Sequence, residues 1–385
     1  MAAAASRSMA YIAGIYEHPD RIIPEKSISQ LYLEITAGVL ADSGLGPDDI
    51  DGLHTTLTPG NAVNLADTLG LRRIRHFDGT DLGGASYVSS VGQAARAVAS
   101  GRANCVLVIM AGIPRRGISF VAMPSASVPY EQAIGSTLIG QYAMVAQRHM
   151  HEFGTTREDL AHIKVASAFH ASHNPHALLQ KRVTVEEVLA QPPVAEPLHR
   201  MDCCVTTDGG GAFLVVSEEI ARSLPHPLVG VLAQAEAVRT WDNGNIDLTT
   251  SAAVQTGHAV FSAAGLTPSD IDYASIYDSF TITVLVTLED LGFCEKGRGG
   301  AFVREDALMA PHGRLPLNTD GGGLSNNHPD RRGGMIRTIE AVRQLRGQAH
   351  PALQVPSAEH ALVHGTGYSL GSKYSSSTAI LVRES

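Results

Sequence analysis

The stretch GLGPDDID (44–51) recurs later in the chain as GLTPSDID (265–272), with six of the eight residues identical. Each copy follows an apolar segment with helical periodicity, so the glycine is placed to end a helix and the proline to open a turn. A turn of this kind is common, and a single match can arise by chance. The order of the surrounding segments decides whether the chain is internally repeated.

Two further pairs of segments match in the same order. LADTLGL (65–71) corresponds to TLEDLGF (287–293), and the glycine-rich turn GTDLGG (79–84) corresponds to NTDGGG (318–323). Three matches in one order are better explained by duplication than by chance. We therefore predict two similar halves.

Each glycine-rich turn is followed by a helical segment and then by a continuously apolar one. The helical segments are QAARAVASGRA (93–103) and IRTIEAVRQLRG (336–347), and the apolar segments are CVLVIMAG (105–112) and ALVHGTG (361–367). Alternation of helices with fully apolar strands is typical of parallel sheets covered on both faces. The predicted fold is α/β, with two duplicated halves arranged in five layers, αβαβα.

A long segment between the two copies has no counterpart in the second half. We assign residues 1–112 and 201–222 to the N-terminal half, 113–200 to an inserted loop domain, and 223–385 to the C-terminal half. The insertion is rich in histidine, is interrupted by proline, and contains helical segments at 139–153 and 157–173. Insertions on α/β scaffolds usually shape the substrate entrance, and we expect the same here.

The composition excludes several kinds of partner. The 385 residues include 29 basic and 38 acidic ones, and a net charge of −9 would repel a phosphate backbone, so nucleic acid is not expected. Because no apolar stretch approaches the roughly 20 residues of a bilayer helix and no secretory signal is evident, we expect no membrane contact and a cytoplasmic location. The cysteines form neither a disulfide framework nor a zinc pattern and are expected to be reduced and buried: Cys105, Cys203, Cys204 and Cys294.

Several fingerprints together resemble the thiolase superfamily over essentially the whole chain. They are the segments starting GGASYVSSVG (83–92), DGGGAFLVVSEE (208–219), YDSF (277–280), SNNHPDRRGG (325–334) and HGTGYSLGS (364–372). The sterol-carrier or lipid-transfer-protein type of thiolase is the most similar group. The resemblance implies the five-layered thiolase fold and an acyl-CoA thioester substrate, bound at the carboxyl ends of the strands where the two halves meet.

The chain departs from the family at the reacting positions. The nucleophilic cysteine of degradative thiolases is matched by Gly84, and the second, acid–base cysteine is matched by His364. The N-E-A-F segment becomes Tyr277-Asp278-Ser279-Phe280, and the histidine of the G-H-P segment is retained as His328. Covalent acyl transfer through cysteine is therefore not expected.

A different chemistry follows from the resemblance to thiolase-like aldolases that shorten steroid side chains. Those enzymes lack the cysteine, have tyrosine at the position matching Tyr277, and cleave a 3-hydroxyacyl-CoA by a retro-aldol reaction. Tyr277 follows the apolar strand DYASI (272–276), from which its phenol can take the β-hydroxyl proton, while His328 can stabilise the enolate. The alternatives are an aromatic cap over the core for Tyr277 and a turn-stabilising role for His328.

A second tyrosine that those aldolases use is absent, and His328, Tyr87 or Tyr368 would have to replace it. His364 precedes a Gly-Thr-Gly turn that can line the thioester pocket. We expect the substrate to contact a further set of residues: Gly84, Ser86, Tyr87, Asn327, Gly367 and Tyr368. Ser86 is also a possible nucleophile, although capping of the helix that follows is the simpler role. The pair Arg331-Arg332 is a candidate for contact with the CoA phosphates.

Three functions remain open from the sequence: a C–C lyase acting on an acyl-CoA in lipid or steroid degradation, an acetyl-CoA acetyltransferase, and a non-catalytic acyl-CoA or lipid carrier. No metal site and no cofactor beyond the CoA of the substrate is expected, because the insertion's histidines lack ligand spacing. The resemblance also implies a homodimer paired through the strand CVLVIM (105–110). It further implies a small partner with a zinc ribbon and an OB-fold, giving a heterotetramer.

Overall fold

The computed structural model describes residues 8–116, 137–240, 246–329, 333–370 and 373–384. The strands are β1 (Tyr11–Glu17), β2 (Gly52–His54), β3 (His76–Asp78), β4 (Cys105–Gly112), β5 (Pro193–Ala195), β6 (Leu198–His199), β7 (Gly209–Val216), β8 (Leu228–Arg239), β9 (Tyr273–Ile276), β10 (His360–Ser369) and β11 (Lys373–Glu384). The helices are α1 (Ile28–Ser43), α2 (Pro59–Thr68), α3 (Ser86–Ala99), α4 (Leu138–Phe153), α5 (Arg157–Ala171), α6 (Val185–Leu189), α7 (Glu218–Arg222), α8 (Ala253–Ala264), α9 (Thr281–Asp290), α10 (Gly299–Phe302) and α11 (Gly334–Arg346). Arg331 and Arg332 lie outside the described residues.

The two halves repeat one strand order. In the N-terminal half the order is β3-β2-β4-β7-β1, and in the C-terminal half it is β9-β10-β11-β8, with β1 and β8 meeting at Tyr11 and Gly230. The counterpart of β3 in the second half is reduced to a single parallel bridge between Ala274 and Leu317. The predicted duplication is therefore visible strand by strand.

The sheets are mixed, whereas the sequence predicted parallel ones. The pairs β2·β4 and β9·β10 are parallel, but β4·β7 and β10·β11 are antiparallel. The connection from β10 to β11 spans only residues 370–372, which is too short for the crossover that a parallel pair needs. A continuously apolar segment indicates that both faces of the sheet are covered, but it does not indicate the direction of the strand.

Three apolar clusters separate the layers and confirm the five-layered arrangement. Along β4, Val106 and Val108 face a central cluster that contains α3 and α11, whereas Leu107 and Ile109 face an outer cluster that contains α1. The outer face of the C-terminal half packs against α8 and α9. Both faces of each sheet are thus covered by helices, as the apolar strands require.

The described part of the insertion packs on the C-terminal half. Helices α4 and α5 begin at the side-chain caps Thr137 and Thr156, whose hydroxyls accept from backbone N–H groups three residues on. The Tyr142 and Phe280 rings lie 4.4 Å apart between centroids, which joins α4 to the start of α9. The insertion is therefore part of the wall around the strand ends.

The strand expected to form a dimer is not an edge strand. β4 is hydrogen-bonded to β2 on one side and to β7 on the other, so neither edge is available to a second copy. The edge of the N-terminal half is β3, directly before the glycine-rich turn 79–84. Among the described helices, none is long and apolar enough to cross a membrane.

Candidate active site

A phenol and an imidazole meet at the carboxyl end of β9. The Tyr277 Oη lies 2.7 Å from the His328 Nε2, and the ring centroids are 5.3 Å apart. Tyr277 is 6% exposed and His328 is half-buried, so the contact is partly shielded from bulk water, which strengthens a hydrogen bond of this kind. The structure thus brings together the two residues that the sequence assigned to the chemistry, although they are 51 positions apart.

The Tyr277 ring occupies the space next to the position matched to the family's nucleophile. The Tyr277 N–H donates to the His364 carbonyl at 2.9 Å, which extends the β9·β10 ladder by one residue and aims the ring at Gly84. A Cβ atom on Gly84 would lie 2.7 Å from the Tyr277 Cζ and would overlap the Thr366 carbonyl oxygen. Glycine at 84 and tyrosine at 277 are therefore complementary, and one makes room for the other.

A chain of buried hydrogen bonds holds His328. Its backbone N–H donates to the Thr207 Oγ1 at 2.9 Å, and that hydroxyl donates to the Asn327 Oδ1 at 2.6 Å. The Asn327 Nδ2 donates to the Glu17 Oε1 at 2.8 Å. Although burial raises the pKa of Glu17, Arg21 and Arg343 hold it below its usual range. Asn327, expected to contact substrate, is 1% exposed, and its side-chain amide forms hydrogen bonds that orient the turn.

Two helices begin at this site. A Cβ on Gly333 would lie 3.0 Å from the Tyr277 Cε2 and 3.2 Å from the His328 Cδ2, and one on Gly334 would overlap the Gly84 carbonyl oxygen. These glycines open α11, and Gly84 lies two residues before α3. The N-terminal ends of both helices favour negative charge, which suits a site where an enolate develops.

His364 lies on the opposite face of β10 from the one expected. Its Nδ1 lies 2.8 Å from the Thr378 Oγ1, its Nε2 has no hydrogen-bond partner among the described residues, and burial lowers its pKa to about 3. The next residue, Gly365, faces the reacting side, since a Cβ there would lie 2.7 Å from the Gly84 oxygen. The contribution of His364 to the site is its backbone carbonyl, which orients Tyr277.

Ser86 is neither the cap of the helix that follows nor placed as a nucleophile. It is buried, its hydroxyl donates to the Gly83 carbonyl at 2.6 Å and accepts from the Leu82 N–H at 2.8 Å. It is the first residue of α3 and not the cap, which is Ala85. In the described part of the chain this hydroxyl is hydrogen-bonded within its own turn and to no imidazole, so it is not an activated nucleophile.

The remaining candidates buttress the site or lie in the core. Gly367 packs so closely on the turn that a Cβ would overlap the Leu82 carbonyl oxygen. The 54%-exposed Tyr368 donates its hydroxyl to the Asp81 carbonyl at 3.2 Å. Tyr87 is 1% exposed, with its hydroxyl 3.3 Å from that of Thr56. Of the three proposed substitutes for a second tyrosine, His328 lies within hydrogen-bond distance of the Tyr277 hydroxyl.

The thiols are unsuited to nucleophilic work. Burial raises the pKa of Cys203 to about 11 and that of Cys294 to about 12, and it raises the pKa values of Cys105 and Cys204 further. A protonated thiol is a poor nucleophile. Among the described residues, no three His, Cys, Asp or Glu side chains are grouped as metal ligands.

Sequence reasoning missed the residues that support the pair. Asp278, Thr207, Lys164 and Glu17 all contact the turn that carries His328 or its neighbours. Asp278 had a weak signal, because it adjoins Tyr277 in YDSF. The others come from distant segments, and only the fold reveals them.

This geometry defines a class: a thiolase-type scaffold whose reacting positions hold a phenol–imidazole pair instead of thiols. Residues 235–383 match the family model described as Thiolase C-terminal domain-like. The steroid side-chain-cleaving aldolase of Thermomonospora curvata is 36% identical over 342 residues, covering 84% of this chain and 86% of the relative. The 17-hydroxy-3-oxo-4-pregnene-20-carboxyl-CoA lyase of Mycobacterium tuberculosis is 34% identical, covering 89% and 92%.

Solved structures agree. The Ltp2-ChsH2(DUF35) aldolase superimposes with a TM-score of 0.89 at 34% identity, covering 97% of each chain.

An acetyl-CoA acetyltransferase of Methanothermobacter thermautotrophicus is also similar in sequence, at 34% identity over 89% of this chain and 91% of the relative. The chain belongs to the thiolase superfamily of enzymes, among its sterol-carrier-protein-type members.

Proposed function

We propose that this protein is a lyase that cleaves the Cα–Cβ bond of a 3-hydroxyacyl-CoA by a retro-aldol reaction. The observation that carries the proposal is the 2.7 Å contact between the Tyr277 Oη and the His328 Nε2, at a site with no side chain at position 84. The names of two relatives, an aldolase and a CoA lyase, support it.

The reaction uses the pair as a proton reservoir. As Tyr277 takes the β-hydroxyl proton, its own phenolic proton passes to the His328 Nε2. The Cα–Cβ bond breaks, the β-carbon leaves as a ketone or aldehyde, and the bonding electrons become an enolate of the thioester. The positive charge of the imidazolium and the N-terminal ends of α3 and α11 favour the negative charge that develops on the enolate.

Return of the proton to Cα completes the step and gives the shortened acyl-CoA. Tyr277 delivers the proton that it took from the hydroxyl to Cα, and the imidazolium returns the phenolic proton to Tyr277, so the reaction has no net proton change and no oxidation or reduction. Accordingly we propose that no cofactor is needed beyond the CoA of the substrate. Tyr277, protonated again, is ready for the next turnover.

We propose a steroid or related lipid acyl-CoA as substrate and a small OB-fold, zinc-ribbon protein as partner, assembled with a homodimer into a heterotetramer in the cytoplasm. The similarity to the Ltp2-ChsH2(DUF35) aldolase over 97% of each chain supports a second component.

The experiment incubates the purified protein, alone and with a DUF35 protein, with a 3-hydroxyacyl-CoA. Release of ketone or aldehyde together with a shortened acyl-CoA supports the lyase. A stable acyl adduct on the protein supports an acetyltransferase instead, and tight binding without turnover supports a carrier.

Replacing His328 by glutamine should lower kcat by roughly 100-fold, the scale of one lost proton-transfer or oxyanion partner. Glutamine keeps a donor but cannot store a proton. The exposed helical residue His151 provides the control, and His151→Gln should leave kcat unchanged. Steady-state kinetics on both variants test this, and an unaffected kcat in His328→Gln would remove the imidazole from the mechanism.

Replacing Cys204 by alanine should leave lyase turnover within about twofold of wild type. Its N–H donates to the Ser279 carbonyl at 2.9 Å, which ties it to the YDSF segment, and burial raises the pKa of its thiol, which disfavours the thiolate. The same assay, with folding checked by circular dichroism, is sufficient. A folded but inactive variant would revive a thiol mechanism.

A further inference from the structure

The turn that presents His328 is fixed by partners from outside itself. Within residues 321–328, Gly322–Asn326 form one turn of π-helix and Asn327 is extended, and two glycines have positive φ angles, 100° at Gly321 and 63° at Gly322. The carbonyls of Gly321, Leu324, Ser325 and Asn326 accept from the Ser167 hydroxyl, the Lys164 ammonium, and the N–H groups of Leu179 and Leu178, respectively. All four donors belong to the insertion.

The opposite side of the turn is held by Asp278. Its Oδ1 accepts from the Gly323 N–H at 2.7 Å, and its Oδ2 accepts from the Leu324 N–H at 3.1 Å. Because Asp278 follows Tyr277 directly, one residue ties the strand end that carries the phenol to the turn that carries the imidazole. The carboxylate is 2% exposed and is committed to this contact.

Lys164 grips the same turn from α5. Its Nζ donates to the Leu324 carbonyl and to the Ser325 Oγ, both at 2.7 Å, and the residue is 2% exposed. Leu324 is therefore held by its N–H from Asp278 and by its carbonyl from Lys164. An ammonium is expensive to bury, and here two acceptors and the nearby carboxylate offset the cost.

We propose that Lys164 and Asp278 are paired positioning residues that set the distance between the His328 Nε2 and the Tyr277 Oη. This deepens the proposed function and rests on it for the kinetic readout. It also gives the insertion a role beyond the entrance: α5 is the clamp on the catalytic histidine's turn. Both side chains contact residues 323–325 and act on His328 through this turn.

The electrostatics of the clamp agree with the geometry. Burial lowers the pKa of Lys164 to about 8, against the opposing attraction of Asp278 and Asp202. Burial raises the pKa of Asp278, against the attraction of Arg337. Removing one charge leaves the other less compensated, so the turn should shift in either single variant.

The test compares Lys164→Met with Lys181→Met, a lysine of the same insertion that is 79% exposed and pairs with Glu187. We expect Lys164→Met to lower kcat by roughly 100-fold, the effect of misplacing a catalytic group by about 1 Å, with KM within about twofold. Asp278→Asn, which keeps one acceptor, should act in the same direction. Lys181→Met should match wild type.

A second readout does not depend on the proposed reaction. The ring ¹⁵N signal of His328 in histidine-labelled protein, assigned by its shift in Tyr277→Phe, reports the hydrogen bond directly. We expect Lys164→Met and Asp278→Asn to move that signal, and Lys181→Met to leave it in place. If the signal moves in a protein without lyase activity, the positioning stands and the proposed function fails.

Two results would overturn the proposal. One is a folded Lys164→Met protein with an unchanged His328 signal and wild-type kcat. The other is a variant whose loss of activity equals its loss of folded protein, which is the mark of a merely structural residue. Should Lys164→Met not fold, Ser167→Ala removes only the hydroxyl bonded to the Gly321 carbonyl and the Ser325 Oγ, and we expect a roughly tenfold fall in kcat with the same signal moved.

Discussion

Replacing Tyr277 by phenylalanine should lower kcat for retro-aldol cleavage by roughly 1,000-fold, within the range that general acid–base groups contribute. Phenylalanine keeps the ring that fills the space beside Gly84 and removes only the oxygen that lies 2.7 Å from the His328 Nε2. The β-hydroxyl proton then has no acceptor at the strand end. Binding of the acyl-CoA should persist, because the apolar ring and the helix ends remain.

The control for this variant is a phenol of comparable burial that takes no part in the site. Tyr11 is 2% exposed and donates to the Glu384 Oε2 at 2.8 Å, so Tyr11→Phe also removes one buried hydrogen bond. It should cost stability of about 1 kcal/mol and leave kcat unchanged. Product analysis of both variants at equal folded concentration decides the matter, and full turnover by Tyr277→Phe would exclude the phenol as the base.

More of the architecture than of the site could be predicted from the sequence. The apolar segment 105–112 is β4 residue for residue, and 361–367 lies within β10, because long apolar runs between turns leave little freedom in their placement. Strand direction was not predicted correctly, because it depends on the connections between strands. Three matched segments implied the duplicated strand order. The C-terminal half reproduces every strand of that order except the counterpart of β3, which is reduced to one bridge.

Matching residues to a motif fails where the face of a strand determines whether a side chain points into the site. Residues 365–367, predicted as a Gly-Thr-Gly turn, continue strand β10 instead, and alternate residues of a strand point to opposite faces. Gly365 faces the Gly84 carbonyl, and His364 faces Thr378. A displacement of one position in the match therefore moves a proposed acid–base group out of the site.

The supporting contacts could not be read from the chain at all. Lys164 and Leu324 are 160 positions apart, and Asn327 and Glu17 are 310 apart. Asn327 stands in the SNNHPD fingerprint, but Lys164, Leu324 and Glu17 stand in no pattern that indicates chemistry, because their task is to satisfy buried backbone and amide groups. Residues that react are therefore easier to predict from a sequence than residues that hold them in position.

Introducing cysteine at position 84 should damage this enzyme and not restore a thiolase. The new Cβ would lie 2.7 Å from the Tyr277 Cζ and would overlap the Thr366 carbonyl oxygen, so the ring or the backbone must move. Overpacking of a rigid site costs about 1–3 kcal/mol or more. Gly84→Cys should therefore melt at a lower temperature, lose most lyase activity, and form no acyl adduct detectable by mass spectrometry.

Gly60→Cys is the matched control, because a Cβ there meets nothing within 4 Å. It should melt and turn over like wild type. Adding Tyr277→Ala to Gly84→Cys removes the ring contact and leaves the clash with the Thr366 carbonyl, so stability should recover only in part. Wild-type melting and activity in Gly84→Cys would mean that the phenol and a nucleophile at 84 do not compete for one space, and the link between the missing thiol and the present tyrosine would be broken.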